Sequence, residues 1–183
     1  MKGMVFTELM NMAEQAIGEE AVDDILDGLS LENDGAYSAV GNYPCAELMR
    51  IVGAIGDHTG IPMPELQRQF GQWIHGRFVE SYPDFFRDKA NVLAMLDAIE
   101  NEVHVEVRKL YPDAELPTFE TEWMDETALK MTYRSDRPLV PFCHGMIEAC
   151  VAHFGAPAKV TVQEIGGDGA AGGSAEFTIR LTA

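Results

Sequence analysis

Positive charge is scarce in this chain. Thirteen lysines and arginines stand against 30 acidic residues in a total of 183, for a net charge of −17. A surface that acidic repels a phosphate backbone, so nucleic acid is excluded as the expected partner. Cysteine is also scarce. Cys45, Cys143 and Cys150 are odd in number and have no CxxC spacing, which argues against a disulfide framework and for a reducing compartment, with the cytoplasm as the default. Long hydrophobic runs are missing: nothing approaches the ~18 consecutive apolar residues of a membrane span. The opening MKGMVFTELMNMAEQAIG breaks the apolar core that a signal peptide requires. Hydrolase signatures of the GxSxG and HExxH kinds are absent. Cys143 and His144 are adjacent, but adjacency alone does not aim a base at a nucleophile. The glycine-rich GGDGAAGG lacks the Lys-Ser/Thr pair of a phosphate loop and reads as a hairpin connection. The expectation is a protein that is not an enzyme.

What the chain does have is apolar residues, 46% of the total, enough for a substantial core. The first two-thirds follows a helical period. Val5, Leu9, Met12 and Ala16 recur at helical spacing, and Gly18 ends the run. Glu19–Leu29 and Pro44–His58 give two further helices, and the prolines of IPMPELQRQFGQWIHGRF open another. Gly71 and Gly76 lower the propensity of that last helix. One long helix is expected from about Lys89 to Leu110. The last third changes period: Leu129, Met131 and Tyr133 alternate with polar residues as a strand does, Val140–Phe154 reads as a helix, and 159–163 and 176–181 alternate again. The fold class is α+β: a helical N-terminal part, about 1–60, packs on a C-terminal part, about 61–183, that holds a small antiparallel sheet and helices.

Two features point to binding chemistry. His104, in NEVHVEVRKLYPDAELP, sits on a helical wheel beside Asp97, Glu100, Asn101 and Arg108, and so borders a polar face. Turned inward, it offers an iron a neutral imidazole whose other ring nitrogen rests on a second acceptor. In TYRSDRP, Tyr133, Ser135 and Arg137 lie two apart, so an extended strand points them the same way. Two hydroxyls and a guanidinium on one side form a clamp for a carboxylate. The bland readings remain open here: an exposed histidine and a solvated arginine on a protein-interaction domain that binds no cofactor.

Taken together, MKGMVFTEL at the start, His104 followed by EVRKLYPDA, the spaced Tyr133-x-Ser135-x-Arg137 and the helix HGMIEACVAHFG resemble the haem nitric oxide/oxygen-binding (H-NOX) family over essentially the whole chain. The resemblance implies haem b (iron protoporphyrin IX) held between the two parts. His104 is then the axial iron ligand, and Tyr133, Ser135 and Arg137 bind the propionates. Pro117 presses the porphyrin out of plane, and Val5, Leu9, Ile74 and Phe142 line the gas side. Family members that hold oxygen stably place a tyrosine over the gas, supported by an asparagine. Here those positions are Phe142 and Ile74, so the expectation is a sensor of nitric oxide and carbon monoxide that does not keep oxygen. Signalling is expected through weakening of the iron–His104 bond, to a separate histidine kinase or cyclic-di-GMP enzyme. A haem enzyme acting on peroxide or oxygen is the competing haem-based reading; the apolar gas side argues against it.

Overall fold

The computed structural model describes residues 1–165 and 172–182. The glycine-rich hairpin connection expected at GGDGAAGG falls mostly outside them. The chain forms two compact units, Met1–Phe70 and Gly71–Ala183.

The first unit contains α1 (Gly3–Ile17), α2 (Glu19–Asp27), α3 (Cys45–Thr59) and the start of α4 (Met63–Ser81). Gly18 ends α1 with φ of 89°, a left-handed value that glycine adopts without a Cβ penalty, and its N–H closes on Glu14. The buried stripe of α1 is Gly3, Phe6, Leu9 and Ala13. It differs from the expected Val5, Leu9, Met12 and Ala16 because Phe6, the bulkiest apolar side chain of the helix, sets the phase. Its ring stacks on Tyr37 at 4.5 Å and meets the edge of Tyr43 at 5.3 Å. Leu48, Ile51, Val52 and Ile55 of α3 complete the core together with Val22. Among the buried groups is Glu47, which is satisfied: it accepts from the Tyr37 hydroxyl at 3.0 Å and from Glu32 N at 2.9 Å.

The second unit carries the rest of α4, then α5 (Asp84–Arg87), α6 (Val92–Asp97), a π-helical turn (Ile99–Val103) and α7 (His104–Leu110). Next come β1 (Thr118–Asp125), β2 (Ala128–Ser135), α8 (Val140–His153), β3 (Ala158–Glu164) and β4 (Gly173–Leu181). The four strands form one antiparallel sheet in the order β1-β2-β4-β3. The expected strands are present, together with one the sequence reading lacked, β1. Since β2 pairs on both edges, it is buried almost throughout: Ala128, Leu129, Met131, Thr132 and Tyr133. Phe177 and Ile179 of β4, Leu93 and Leu96 of α6, and Ile147 of α8 fill the same core.

The single helix expected over Lys89–Leu110 is three pieces. Asn91 starts the first by accepting Ala94 N on its side chain at 3.0 Å. At the π turn, Val103 N reaches back five residues to Ala98 O, and His104 N likewise to Ile99 O. The extra residue rotates everything after it by about 100° relative to a regular helix. A regular wheel puts His104 on a polar border, whereas this turn carries it into the protein, 8% exposed. No helix among the described residues is long and apolar enough to cross a membrane.

Two glycines on α4 have opposite roles. A Cβ at Gly71 would lie 2.1 Å from the Phe142 carbonyl oxygen, so the helix backbones approach too closely there for a side chain. A Cβ at Gly76 would meet nothing within 4 Å. Gly71→Ala should destabilise the protein by roughly 1–3 kcal/mol despite the better helix former, and Gly76→Ala should stabilise it by about 1 kcal/mol. Denaturant midpoints of the two variants check the opposite signs.

His75 is buried, and its Nε2 has no hydrogen-bond partner among the described residues. Its ring packs edge-on against Phe86 at 5.4 Å and lies 6.0 Å from His153. Burial, with His153 adding repulsion, lowers its pKa from 6.5 to about 4. The folded state therefore binds fewer protons than the unfolded state in that window, and stability falls as pH drops from about 6.5 to about 4, by on the order of 3 kcal/mol. His75→Phe should remove this part of the acid sensitivity, which is measured as the difference between variant and parent denaturant midpoints at neutral pH and near pH 4.

Candidate functional site

The second unit gathers the binding candidates around the π turn and β1. Three donors converge on Glu100. Its Oε2 lies 3.0 Å from His104 Nδ1 and accepts Phe119 N at 3.2 Å, and its Oε1 accepts Arg108 Nη2 at 2.8 Å. Burial alone would raise the Glu100 pKa, but these hydrogen bonds hold the carboxyl below its usual range. The pKa of His104 is lowered by its burial, against the opposing pull of Glu100. The pair is thus a neutral imidazole on an ionised carboxylate. An ionised carboxylate has no proton to give, so Nδ1 is the donor and Nε2 keeps its lone pair.

Phe119, at the start of β1, joins the histidine to the Tyr-x-Ser-x-Arg segment. Its ring is 5.6 Å from His104 and 5.6 Å from Tyr133, its partner in the antiparallel register. Tyr133 is buried and meets the edge of Phe177 at 6.5 Å. β2 ends at Ser135, so strand alternation does not carry Arg137. Instead the chain turns: Arg137 N donates to Ser135 Oγ at 3.1 Å. The Arg137 guanidinium donates to the Glu115 carbonyl at 2.9 Å and also pairs with the Glu115 carboxylate. Its side chain is only 17% exposed, whereas that of Glu115 is 82% exposed. The Arg137 guanidinium is therefore turned inward and in contact with the Glu115 carboxylate.

Pro117 is half-buried, two residues before Phe119. Ile74 is buried one turn beyond Gly71, where α4 approaches the Phe142 backbone of α8, and Phe142 is half-buried. In the first unit, Leu9 is buried and Val5 half-buried. Among the thiols, Cys143 and Cys150 are buried, and burial raises the pKa of both, that of Cys150 to about 12, which disfavours the thiolate form.

In the sequence, Glu100 is read only as a polar neighbour of His104, and the parts played by Phe119 and Glu115 are not read at all. Glu100 had a signal, a carboxylate four residues before the histidine. Phe119 had a weaker one, the alternation of Phe119, Thr121 and Trp123 after a proline. Glu115, at a distance in sequence from Arg137 and in irregular chain, had none.

A family model described as Haem-NO-binding matches residues 2–162. Among solved structures, the Fe(II) unliganded H-NOX protein from K. algicida is 33% identical, with a TM-score of 0.92, over 100% of this chain and 97% of that one. The H-NOX protein from S. oneidensis in the Fe(II)NO ligation state is 22% identical, with a TM-score of 0.86, over 100% of both chains. A mutant of the T. tengcongensis H-NOX, also 22% identical with a TM-score of 0.85, covers 100% of this chain and 98% of that one. The two more distant likenesses concern the fold. No curated protein gives a significant match. With the family match over most of its length, this chain belongs to the Haem-NO-binding (H-NOX) family of haem-based gas sensors.

Proposed function

We propose that this protein is a nitric oxide and carbon monoxide sensor that binds haem b with His104 as the axial ligand. The observation that carries the reading is the state of His104: buried, neutral and fixed through Nδ1, with Nε2 as the lone donor atom. A single imidazole nitrogen suits an iron whose remaining ligands would come from a porphyrin rather than from the protein. Ferrous haem held by His104 would supply an iron able to bind a diatomic gas.

The chain's own residues fit that group. Arg137, assisted by Ser135 and Tyr133, is assigned to the propionates, and its pairing with the Glu115 carboxylate supports that assignment. Pro117 gives a rigid edge just before β1 and is assigned the wall against the porphyrin. Val5, Leu9, Ile74 and Phe142 are assigned the gas side. None of the four side chains carries a hydrogen-bond donor. Bound oxygen carries partial negative charge and gains from a donor; nitric oxide and carbon monoxide depend on one far less. The reading therefore excludes stable oxygen binding.

As a sensor, the chain would work through the hold on His104, because α7 begins at that residue and the π turn precedes it directly. Reporting to a separate histidine kinase or cyclic-di-GMP enzyme in the cytoplasm completes the proposal, and three free cysteines accord with a reducing setting. No catalytic role is assigned to any residue.

His104→Gly should purify with little haem, and added imidazole should restore both haem retention and the parent absorption spectrum. An unchanged haem content and spectrum would contradict the ligand assignment.

The reduced parent protein exposed to air should show no persistent oxygen-bound spectrum, while carbon monoxide shifts its Soret band. A stable oxygen spectrum would contradict the apolar gas side.

A further inference from the structure

We infer that Glu100 is a positioning residue for His104: its carboxylate takes the Nδ1 proton in a hydrogen bond and thereby sets the donor strength of Nε2. The inference rests on the proposed ligation by His104 and goes further, because it assigns a role to a residue outside the cofactor contacts.

The geometry supports a specific hold. Glu100 Oε2 is 3.0 Å from Nδ1 and also takes Phe119 N, so the oxygen is fixed from the β1 side. The other oxygen is fixed by Arg108. The side chains of Glu100 and His104 are 25% and 10% exposed, so water competes weakly for the shared proton. An imidazole that donates to an ionised carboxylate carries extra electron density on its far nitrogen and is a stronger ligand than one that donates to water. The same bond fixes the tautomer and the ring orientation. Glu100 lies within the π turn, in the segment that rotates His104 inward, so position and donor strength are set by one local structure.

Arg108 tempers the effect. Its guanidinium shares the carboxylate charge, which limits how much reaches the imidazole. Glu100 therefore gives an intermediate hold: firmer than a solvated histidine, weaker than one facing an unshared carboxylate.

The test uses His104→Gly protein reconstituted with haem and free ligands in place of the missing ring. Three probes are compared by absorption titration of the ferrous form: imidazole, a C-methylimidazole that keeps its N–H, and N-methylimidazole, which has none. The two methylated rings match in bulk, so their difference reads the N–H. The C-methyl ligand should bind about tenfold more tightly than the N-methyl ligand, as expected for a hydrogen bond to a charged acceptor. In His104→Gly/Glu100→Gln protein, that preference should shrink toward one. Equal binding of the two methylated rings when Glu100 is intact would overturn the role of Glu100 while leaving His104 as the ligand. No response to any of the three would overturn the ligation by His104 itself. A preference that survives Glu100→Gln unchanged would assign the hydrogen bond to another acceptor and overturn the inference. If that double variant does not fold, His104→Gly/Glu100→Asp, which keeps the charge but withdraws the carboxylate, takes its place: the preference should fall, and an unchanged preference would overturn the inference.

Discussion

The structure of the second unit turns on one carboxylate that accepts three donors. Glu100 collects His104 Nδ1, Arg108 Nη2 and Phe119 N, and so joins the π turn, α7 and β1 at a single point. Asp97, three residues earlier, acts similarly toward the same strand, taking the Thr121 hydroxyl at 2.5 Å and Trp123 Nε1 at 3.0 Å. Two acidic side chains on one stretch of helix therefore dock it along β1. Neither is a surface charge free to be exchanged for another polar residue, even in a chain with 30 acidic residues. Buried or half-buried carboxylates are stabilising only when their lone pairs are met, and here they are met by backbone and side-chain donors of known identity.

The same constraint explains how His104 comes to lie inside the protein although a helical wheel puts it on a polar border. Regular α geometry places it beside Asp97, Glu100 and Arg108, all polar. The π turn advances the phase by one residue and turns the ring inward, where Phe119 packs against it. Burial disfavours the charged imidazole and the carboxylate favours it; burial wins, and the ring stays neutral with its proton on the Glu100 side. An exposed histidine at the same point of the sequence would titrate near neutrality and bind a metal in competition with protons. The local distortion and the electrostatics therefore produce one result, a histidine with a single available donor atom. Arg137 shows the complementary arrangement just past the end of β2: an inward guanidinium in a strongly acidic protein, held by the carbonyl and carboxylate of Glu115, while its backbone N–H rests on Ser135 Oγ.

Much of this was legible in the sequence, and what was not has a physical reason. α1, α3 and α8 start and stop close to where periodicity and glycine or proline signals place them, because each is long enough for a full apolar stripe. The spacing of Tyr133, Ser135 and Arg137 was visible, but the strand ends at Ser135 and a turn, rather than alternation, places the arginine. β1 was missed because threonines and glutamates occupy half of its positions, and an edge strand with one wet face carries a weak apolar pattern. The π turn was missed because nothing in Ile-Glu-Asn-Glu-Val marks an extra residue; it is sustained by tertiary hydrogen bonds to β1, and these cannot be read from local propensity. The phase error on α1 was different in kind: Phe6 was present in the sequence, and the stripe drawn through Val5 passed beside it.

The proposed function depends on a bond between Nε2 of His104, positioned by Glu100, and haem iron. Resonance Raman spectroscopy of the ferrous, gas-free protein measures that bond directly. An iron–histidine stretching band is expected that shifts when the iron is replaced by a heavier isotope, shifts again when the protein is grown with isotopically labelled histidine, and is lost in His104→Gly. A low-frequency spectrum that ignores both labels, or that keeps its band without His104, would rule out His104 as the ligand.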